Sequence, residues 1–560
     1  MAQPNTDTYV EDVDTILKVL RTKVLEKKPT DVLSFLVQSA NDLSHDATAF
    51  ETCERIVLKV PQELLDRSLT IVVLGASGDL AKKKTFPALF QLYCNGMLPP
   101  KVNIVGYART SIDDVEKWKK EVLKKYLTRL SERGCHVASF FDRISYVSGQ
   151  YDKVEDFQKL HHVICEKEKA FTGKLPGGNR LFYLALPPTA FVSAATGIRN
   201  GAMPQPVGGW VRVVIEKPFG RDTETSAQLS SQLEPLFNES QIFRIDHYLG
   251  KEMVQNLLTV RFANRIFSSL WNAQNIACIQ ITFKETIGTE GRGGYFDSFG
   301  IIRDVIQNHL TQILALVAME KPQSLDAENI RDEKVAALRC ISAVRVEDCV
   351  LGQYTASEDG SIPGYLEDPT VPKNSKCPTF AMIRLKIDND RWDGIPFILK
   401  AGKALEDKHV GIRIQFKEET RPYGSAAQRN ELVIRAQPSE AMYIKITNKV
   451  PGIMEDLRNT HQTELDLTYR ARYSTQLPDA YESLINEAVL GNSTNFVRKD
   501  ELDAAWRIFT PLLHKIDKGE VSVIPYKAGS RGPKEADDFS AANGFKYNPE
   551  YTWAPPSNKL

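Results

Sequence analysis

The sequence predicts an α/β protein, with a doubly wound parallel sheet in its first half and a larger α+β domain with a mainly antiparallel sheet after it. Up to about residue 244, short apolar strand candidates alternate with longer helical stretches. Strands that are apolar along their whole length are buried on both faces, as happens when helical crossovers cover a parallel sheet. Strand candidates in the second half mostly alternate apolar and polar residues, which is typical of antiparallel strands with one solvated face. The first sheet is therefore predicted to be of the Rossmann type.

The first strand is predicted at Leu69–Leu74, a β-branched run that ends at Gly75 and leads into a helix through Phe86 to Tyr93. The other strand candidates of the first half are Val102–Tyr107, Leu181–Leu186 and Val211–Glu216. Those of the second half are Ile279–Lys284, Met382–Ile387, Ile412–Phe416, Leu432–Ala436 and Met442–Ile446. Between the first two of these lies Phe299–Met319, a helical stretch that is apolar along most of its surface and is therefore predicted to be buried.

A length of 560 residues favours two domains plus an extension. We predict an extension of amphipathic helices over residues 1–66 and a nucleotide-binding domain over residues 67–243. An α+β domain for substrate binding and oligomerisation is predicted over residues 244–560.

The composition excludes several classes of partner. Lys plus Arg and Asp plus Glu both number 71, so no excess of charge indicates nucleic acid or an anionic membrane. No apolar run approaches the ~20 residues of a membrane-spanning helix, and the polar, acidic start does not fit a secretory signal. The eight cysteines include no Cys-x-x-Cys pair, which favours a reducing compartment. We expect a cytoplasmic location, with a peroxisome-like organelle as the alternative because the final Asn-Lys-Leu approximates the Ser-Lys-Leu signal.

A turn of mostly small residues joins the first strand to its helix. The segment Gly75-Ala-Ser77-Gly78-Asp79-Leu80-Ala fits Gly-x-x-Gly-x-x-Ala, a variant of the dinucleotide fingerprint. Small residues there let the backbone approach a pyrophosphate at a helix N-terminus. An ordinary strand–helix turn is the alternative, but the strand–turn–helix context favours a cofactor site.

Arg109 follows the next strand, where an NAD enzyme usually carries a carboxylate for the ribose hydroxyls. A cation at this position pairs with a 2′-phosphate instead, so Arg109 together with the fingerprint favours NADP. Lys84, in the run Lys82-Lys83-Lys84, is a further candidate for a cofactor contact. Taken alone, Arg109 and these lysines also fit a solvated surface.

Later segments concentrate polar side chains. His247, Tyr248 and Lys251 lie within five residues and supply the mixed donors that suit a phosphomonoester. Oxidation of a sugar hemiacetal needs a base for the hydroxyl proton, and a histidine whose tautomer is fixed by a carboxylate suits that task. His309 is a candidate, although its apolar helix, taken alone, fits a core histidine better.

These segments together resemble those of a known family. The hallmark stretches of glucose-6-phosphate dehydrogenases are matched by Gly75–Ala81, Glu216–Gly220, Arg244–Glu252 and Phe299–His309. The run Arg-Ile-Asp-His-Tyr-Leu-Gly-Lys-Glu at 244–252 is highly specific to that family. The resemblance covers roughly residues 68–555 in order, and residues 1–66 lie mostly outside it.

The resemblance implies oxidation of D-glucose 6-phosphate to 6-phosphogluconolactone with reduction of NADP, the first step of the oxidative pentose phosphate pathway. It implies that His309 is the general base and Asp246 its carboxylate partner, and that Lys217 bridges substrate and cofactor. Cofactor contacts are expected from Gly75, Ser77, Gly78, Asp79, Leu80, Lys84, Arg109, Tyr183 and Lys217. Substrate contacts are expected from Lys217, His247, Tyr248, Lys251, Glu285, Asp304, His309, Lys403 and Gln437. We expect a homodimer or homotetramer and no metal, because hydride transfer to nicotinamide needs none.

The family resemblance also implies a second, structural NADP in the C-terminal domain. The matching positions carry cations for phosphates and aromatic rings for stacking, namely Arg413, Arg435, Tyr443, Lys445, Arg531, Tyr547 and Trp553. Two positions depart from the family pattern, with Lys400 in place of Arg and His409 in place of Lys. Lysine lacks the planar fork that grips a phosphate, and histidine is mostly neutral at pH 7, so a reduced affinity is expected. The alternative is that these side chains merely pack the sheet and the C-terminal tail.

Cys53 and Cys94 support a hypothesis of redox control through a disulfide, although idle reduced cysteines are the simpler interpretation. Two other functions compete with the main one. A dehydrogenase of an unphosphorylated sugar would not need the group around His247. A non-catalytic NADPH-sensing protein would not need Asp246, His309 and Lys217 to be intact.

Overall fold

The computed structural model describes residues 64, 67–127, 137–172, 178–203, 209–419, 422–424, 427–453, 456–466, 477–548, 551 and 553. The predicted helical extension, with Cys53, lies outside the described residues except for Leu64. None of the helices in these ranges is long and apolar enough to cross a membrane.

Two sheets organise the chain. The strands of the first are Leu69–Leu74 (β1), Val102–Ala108 (β2), Ile144–Ser148 (β3), Asn179–Leu184 (β4), Val211–Ile215 (β5) and Ile242–Arg244 (β6). Those of the second are Ile276–Lys284 (β7), Cys349–Thr355 (β8), Phe380–Leu385 (β9), Phe397–Gly402 (β10), His409–Phe416 (β11), Glu431–Gln437 (β12), Ala441–Lys449 (β13), Thr460–Asp466 (β14) and Ile524–Lys527 (β15).

Helices connect and cover these sheets. The α-helices of the described residues are Phe86–Cys94 (α1), Val115–Trp118 (α2), Lys124–Leu127 (α3), Val137–Phe141 (α4), Val154–Thr172 (α5), Phe191–Gly197 (α6), Thr223–Leu233 (α7), Glu252–Ala263 (α8), Arg265–Leu270 (α9), Gly293–Asp297 (α10), Thr311–Ala318 (α11), Ala327–Arg339 (α12), Ala480–Leu490 (α13), Lys499–Asp517 (α14) and Lys534–Ala542 (α15). Segments wound as π-helix are Ala81–Thr85, Lys119–Leu123, Ile198–Ala202 and Ile302–Leu310. Short 3₁₀ turns are Pro188–Ala190, Glu239–Gln241, Val346–Asp348 and Tyr365–Glu367.

The first sheet is parallel throughout, in the order β3-β2-β1-β4-β5-β6. Side chains of β1 point alternately into two cores. Ile71 belongs to the core that includes Phe90 of α1, and Val72 to the core that includes Leu160 of α5. Helices therefore cover both faces, and the predicted doubly wound fold is confirmed.

The second sheet runs in the order β14-β13-β12-β11-β7-β10-β9-β8-β15. The pairs β7–β10 and β8–β15 are parallel and the other six are antiparallel, as predicted for the larger domain. The π-helix Ile302–Leu310 continues directly into α11 and packs on β7 and β10. Every residue of α11 is buried, which confirms the buried helical stretch predicted there.

Some strands differ from the prediction for a physical reason. The strand predicted at Leu181–Leu186 begins two residues earlier, because the polar Arg180 is buried in β4, where its guanidinium binds Glu168 of α5 at 2.9 Å. The polar edge strand β14 shows no apolar alternation, and pairing with β13 forms it. Both strands are therefore defined by tertiary contacts, which the local sequence pattern does not indicate.

Segments from the C-terminal part of the chain pack against the first sheet. Leu484 of α13 is buried in the same core as Phe90 of α1. Val497 forms an isolated bridge with Arg244 at the end of β6. The boundary between residues 243 and 244 stays a prediction, and residues far beyond it help to build the crevice at the carboxyl ends of the first sheet.

Candidate active site

The turn after β1 lies where the strand order of the first sheet reverses, since β2 and β4 flank β1 on opposite sides. Ligands of doubly wound sheets bind in the crevice that opens at this point. Gly75 has φ of 82°, and a Cβ there would lie 2.2 Å from the carbonyl oxygen of Ala185, so only glycine fits. The amide of Gly78 donates to the carbonyl of Gly75 at 2.8 Å and closes the turn. The resulting bare backbone fits the close approach of a pyrophosphate.

The remaining residues of the turn face the crevice or solvent to different degrees. Ser77 is half-buried, with its Oγ 3.4 Å from Oγ1 of Thr110 beyond β2. Asp79 is exposed and its carboxylate pairs with Nζ of Lys83 at 2.8 Å. Leu80 is half-buried at the start of the π-helix that precedes α1. The turn is thus held together by its own polar groups.

Arg109 and Lys84 lie at different ends of this region. Arg109 follows β2, and its exposed guanidinium lies 5.6 Å from the ring centre of Tyr151. Nζ of Lys84 lies 3.2 Å from the carboxylate of Asp479 and 5.8 Å from the ring centre of Tyr481, both near the start of α13. Arg109 is therefore available to an anion, whereas Lys84 already has a carboxylate partner.

Tyr183 is fully buried in β4, and its hydroxyl donates to Oε1 of Glu216 at 2.5 Å. Burial raises the pKa of Glu216 to about 7, although this hydrogen bond and the charge of Lys217 oppose the rise. The hydroxyl of Tyr183 therefore already has a partner within the protein, namely Glu216, which precedes Lys217 in the chain.

His309 and Asp246 are brought together from separate elements. His309 lies on the π-helix Ile302–Leu310, and Asp246 follows β6. Nδ1 of His309 lies 2.5 Å from Oδ1 of Asp246, and both side chains are 3% exposed. The same Oδ1 accepts the amide of Tyr248 at 3.0 Å. Because a carboxylate only accepts, Nδ1 carries the ring proton and the lone pair of Nε2 is left for another group.

Electrostatics leave this pair as a carboxylate beside a neutral ring. Burial alone would raise the pKa of Asp246, but the charges of His309, His247 and Lys217 outweigh it and lower the pKa to about 2. Burial lowers the pKa of His309 below its ordinary value; the charge of Asp246 opposes this and that of Lys217 reinforces it. At neutral pH the ring of His309 is therefore a proton acceptor.

Aromatic rings enclose His309. The rings of His247 and Tyr248 each have their centre 4.6 Å from that of His309, and Tyr481 of α13 stacks on His247 at 5.9 Å. Burial lowers the pKa of His247 well below its ordinary value and raises that of Tyr248. Of the three predicted phosphate ligands, Lys251 is thus the charged one and the other two are neutral donors.

Lys251 precedes α8 and is half-buried, and burial lowers its pKa. Asp479 opposes this shift, and the nearby charges of Lys84 and Lys408 reinforce it. Lys408 lies just before β11 and was not among the predicted phosphate ligands, because the neighbouring sequence does not indicate its approach to Lys251. Gln437 is the last residue of β12. It pairs with Val410 of β11, which follows Lys408 by two residues. The ammonium groups of Lys84, Lys251 and Lys408 therefore lie near one another, with the carboxylates of Asp479 and Glu440 close by.

A chain of alternating charges begins at Lys217. Nζ of Lys217 donates to the carbonyl oxygen of Asp304 at 2.7 Å and lies 3.6 Å from its carboxylate. Lys403 binds Glu285 at 2.5 Å and lies 3.8 Å from the carboxylate of Asp304. Asp304 shares the π-helix with His309, so this chain of charges reaches the dyad.

Two groups of residues have the spacing of a metal site in the described part of the chain. The ligand atoms of Asp246, His247 and His309 lie within 4.8 Å of one another, as do those of Asp222, Glu224 and His514. In the first group the carboxylate is already bound to His309, and Lys217 lies near. That arrangement suits a proton better than a divalent cation.

Comparisons with known proteins agree with this geometry. Family models match residues 72–256, as the NAD binding domain of glucose-6-phosphate dehydrogenase, and residues 258–551, as its C-terminal domain. A relative from Arabidopsis thaliana, glucose-6-phosphate 1-dehydrogenase 6, cytoplasmic, is 54% identical over 87% of this chain and 94% of its own. The chain belongs to the glucose-6-phosphate dehydrogenase family.

Other members of the family extend the comparison. A relative from Dictyostelium discoideum, glucose-6-phosphate 1-dehydrogenase, is 50% identical over 87% of this chain and 96% of its own. A solved structure of glucose-6-phosphate dehydrogenase in complex with its substrate glucose-6-phosphate is 46% identical, with a TM-score of 0.82 over 87% of this chain and 99% of its own. The enzyme from Mycobacterium avium is 31% identical, with a TM-score of 0.71 over 87% of this chain and 100% of its own.

Residues predicted for a second nucleotide in this family also cluster. Tyr443 of β13 stacks on Trp553 with ring centres 5.8 Å apart, and the guanidinium of Arg435 lies 4.6 Å from the Trp553 ring centre. Arg413 and Lys445 both bind the buried carboxylate of Glu431, at 3.1 and 3.0 Å. Arg413, Lys445 and Tyr547 line a cavity of about 530 Å³, whereas Arg435, Tyr443 and Trp553 are not part of its lining.

Of the two positions that depart from the family pattern, Lys400 is buried and His409 is half-buried. Arg531 lies 3.8 Å from the ring centre of Tyr547 and binds Asp537 at 3.0 Å. Nζ of Lys400 donates to the carbonyl oxygen of Arg531 at 3.2 Å, and burial lowers its pKa to about 8. Burial and Arg435 lower the pKa of His409 to about 3. His409 is neutral, and Lys400 keeps much of its charge near pH 7.

The cysteine hypothesis has a partial outcome. Cys94 at the end of α1 is disulfide-bonded. The other five cysteines of the described residues carry free thiols. The interpretation of idle reduced cysteines is therefore wrong for Cys94. Cys53 lies outside the described residues, and redox control through a disulfide stays a prediction.

The electrostatics of the dyad can be measured directly. We expect the pKa of His309 to lie below the ordinary histidine value of 6.5. The substitution Asp246→Asn removes the charge that raises it, so the pKa should fall further. NMR titration of the ring signals, assigned by comparison with His309→Asn, measures both values. A pKa above 6.5, or no change on Asp246→Asn, would contradict this arrangement.

Proposed function

We propose that this chain oxidises D-glucose 6-phosphate to 6-phosphogluconolactone with reduction of NADP, the first step of the oxidative pentose phosphate pathway. The observation that carries the proposal is the buried His309–Asp246 pair, in which a neutral imidazole held in one tautomer lies near Lys217. The substrate named in the solved structure of a relative supports the choice of sugar phosphate.

The dyad removes one proton in this reaction. Nε2 of His309 accepts the proton of the C1 hydroxyl while the C1 hydrogen leaves with its electron pair and the C1 carbonyl forms. Asp246 keeps Nδ1 protonated and stabilises the imidazolium that results. The nicotinamide cofactor, when bound, supplies the hydride acceptor. Lactone, reduced cofactor and one proton account for all atoms and electrons.

Different groups of residues around the dyad bind different parts of the substrate. Lys251 and the neutral donors His247 and Tyr248 bind the phosphate, and Lys408 adds a second cation. The sugar hydroxyls and the phosphate oxygens are further contacted by Lys217, Glu285, Asp304, Lys403 and Gln437. The charged residues of this set already pair with one another, so sugar hydroxyls can hydrogen-bond to groups whose charge stays compensated by a neighbour.

A nicotinamide cofactor is supported by the match to the NAD binding domain, and its phosphorylated form is our proposal. The bare backbone of the turn receives the pyrophosphate, and Arg109 binds the 2′-phosphate. The contacts are assigned to Gly75, Ser77, Gly78, Asp79, Leu80, Lys84, Arg109, Tyr183 and Lys217, with Tyr183 acting through Glu216.

One assay tests the reaction and both competing functions. The absorbance at 340 nm should rise with glucose 6-phosphate and NADP and stay low with glucose at the same concentration. An equal rise with glucose would indicate a dehydrogenase of unphosphorylated sugars. No rise with either sugar, in a folded protein that still binds NADPH, would indicate a non-catalytic NADPH-sensing protein.

Arg109 is predicted to select NADP over NAD. A charge-assisted contact is worth on the order of 1.5–3 kcal/mol, so Arg109→Ala should weaken NADP use roughly ten- to a hundredfold. NAD carries no 2′-phosphate, so kcat/KM with NAD should change little, and this is the internal control. Equal losses with the two cofactors would mean that Arg109 supports the crevice without recognising the phosphate.

We also propose a second, structural NADP site at Arg413, Arg435, Tyr443, Lys445, Arg531, Tyr547 and Trp553. The cavity of about 530 Å³ that Arg413, Lys445 and Tyr547 line supports it. The carboxylate of Glu431 already holds two of the cations, and His409 is neutral, so we expect weak binding. We further propose a homodimer or homotetramer and, from the names of relatives, a cytoplasmic location.

Trp553 should report on that second site. If NADP bound there stabilises the folded protein by mass action, Trp553→Ala should reduce the rise in melting temperature that NADP causes. The KM for NADP should stay near the wild-type value, because the crevice is unaltered. Trp210→Ala is the matched control, because Trp210 is also half-buried with an arginine guanidinium over its ring and lies outside both proposed sites. An unchanged rise in Trp553→Ala would remove Trp553 from the site, and one NADP per subunit at saturation would exclude the site.

A further inference from the structure

The segment that joins β5 to α7 carries Lys217 and is held near both of its ends by the π-helix Ile302–Leu310. Residues 216–222, the Lys217 segment, form no helix or strand, so contacts with neighbouring elements define their path. Nζ of Lys217 donates to the carbonyl oxygen of Asp304 at 2.7 Å. The carbonyl oxygen of Arg221 accepts from Nε of Arg303, also at 2.7 Å. Two consecutive residues of the π-helix thus bind the beginning and the end of this segment.

The guanidinium of Arg303 uses all three of its nitrogens inside the protein. Besides the bond of Nε, its Nη1 and Nη2 donate to the two carboxylate oxygens of Asp517 at 3.0 and 2.6 Å. Arg303 is buried, whereas the side chain of Asp517, the last residue of α14, is 39% exposed. A planar fork that binds a carboxylate at two points has a fixed direction. The third donor, Nε, is therefore held towards the carbonyl oxygen of Arg221.

Helix α14 contacts the same part of the chain at two more points. Nε1 of Trp506 donates to the carbonyl oxygen of Phe219 at 3.0 Å. Oγ1 of Thr510 accepts from the amide of Thr223, just after the segment, at 3.0 Å. These two bonds hold the segment against α14. Arg303 differs from them because it lies on the π-helix, so its bond fixes the segment relative to the π-helix itself.

We propose that Arg303 is a positioning residue for the reaction, which holds the Lys217 segment at the distance from His309 that catalysis requires. This inference rests on the proposed function, in which Lys217 bridges substrate and cofactor and His309 is the base. Arg303 acts through Lys217, since all three of its nitrogens are bound to protein groups. Catalytic groups must be held within about 0.5 Å of their productive geometry, and a displacement of about 1 Å can cost roughly 100-fold in rate.

The substitution Arg303→Lys tests this role by kinetics. Lysine keeps the positive charge, but a single ammonium does not reproduce the planar fork together with the third bond. We expect kcat for glucose 6-phosphate to fall about 10- to 100-fold, with KM for both substrates within about threefold of wild type, because chemistry loses more than binding. An unchanged kcat in the folded variant, or a loss confined to KM, would overturn the proposal.

Arg180→Lys is the matched control. The guanidinium of Arg180 also binds a carboxylate at two points, that of Glu168, and donates to a backbone carbonyl, that of Ala202. Arg180 lies at the amino end of β4, whereas the crevice opens at the carboxyl ends of the strands. This variant should lose stability but keep kcat within about twofold. A comparable fall in kcat would show that Arg303→Lys acts through a general loss of stability, and would overturn the proposal.

Asp517→Asn is a second variant, which leaves Arg303 in place. The amide keeps one acceptor and turns a donor towards the guanidinium, so the fork is loosened at a partly exposed position. We expect kcat to fall in the same direction, by about 2- to 10-fold. Melting temperatures show which variants are folded, and if Arg303→Lys is not, Asp517→Asn decides the test. An unchanged kcat in Asp517→Asn would overturn the proposal.

A double-mutant cycle separates the positioning of Lys217 from other effects of Arg303. In a Lys217→Ala background, Arg303→Lys should lower the residual kcat by less than about twofold, because the group that it positions is absent. An equal fold-loss in both backgrounds would overturn the proposal.

Crystal structures of the wild type and of Arg303→Lys test the same claim without activity. Nζ of Lys217 should move by about 0.5 Å or more relative to the ring of His309. An unmoved segment would overturn the proposal. A wild-type enzyme without activity on glucose 6-phosphate would refute the proposed function and this inference with it. An active wild type with unaffected Arg303→Lys and Asp517→Asn variants would refute only this inference.

Discussion

The hydrogen bond between His309 and Asp246 is the interaction on which the account depends. Both side chains are almost fully buried, and a buried carboxylate is stable only where charges or donors surround it. That requirement explains why β6 delivers Asp246 next to the π-helix of His309, with Lys217 and the amide of Tyr248 around it. The π-helical winding is a form found frequently at functional sites.

The need to compensate buried charge also explains the arrangement of the surrounding charged residues. Lys217, Asp304, Lys403 and Glu285 alternate in sign, so no one of them is left alone in the partly buried crevice. The rings of His247 and Tyr248 pack against that of His309 with their centres 4.6 Å from it. They help to keep the dyad buried.

The sequence predicted the elements whose pattern is local. Both sheets, the turn at Gly75 and the buried helix around His309 follow from apolar periodicity and small residues. The edge strand β14 was missed because its residues are mostly polar, so that pairing with β13, and not an apolar pattern, forms it. Lys408 was missed because nothing in its neighbours shows that β11 carries it towards Lys251.

The site shows the same division between local and tertiary information. Taken alone, His309 fitted a core histidine, and only the position of Asp246 in space distinguishes the two interpretations. The resemblance to a family supplied that partner from the sequence. It did not indicate that Lys84 binds Asp479, or that Tyr183 holds Glu216, since both depend on the packing of α13 and β4.

The central claim is that His309 is the base, and the substitution His309→Asn tests it most directly. A positioned base contributes roughly 10²- to 10⁴-fold to the rate, mainly in the transition state. Steady-state kinetics with glucose 6-phosphate should therefore show kcat falling by about that factor while KM stays near the wild-type value. A fall in kcat of less than about tenfold would show that His309 is a packed core residue and that another group removes the proton.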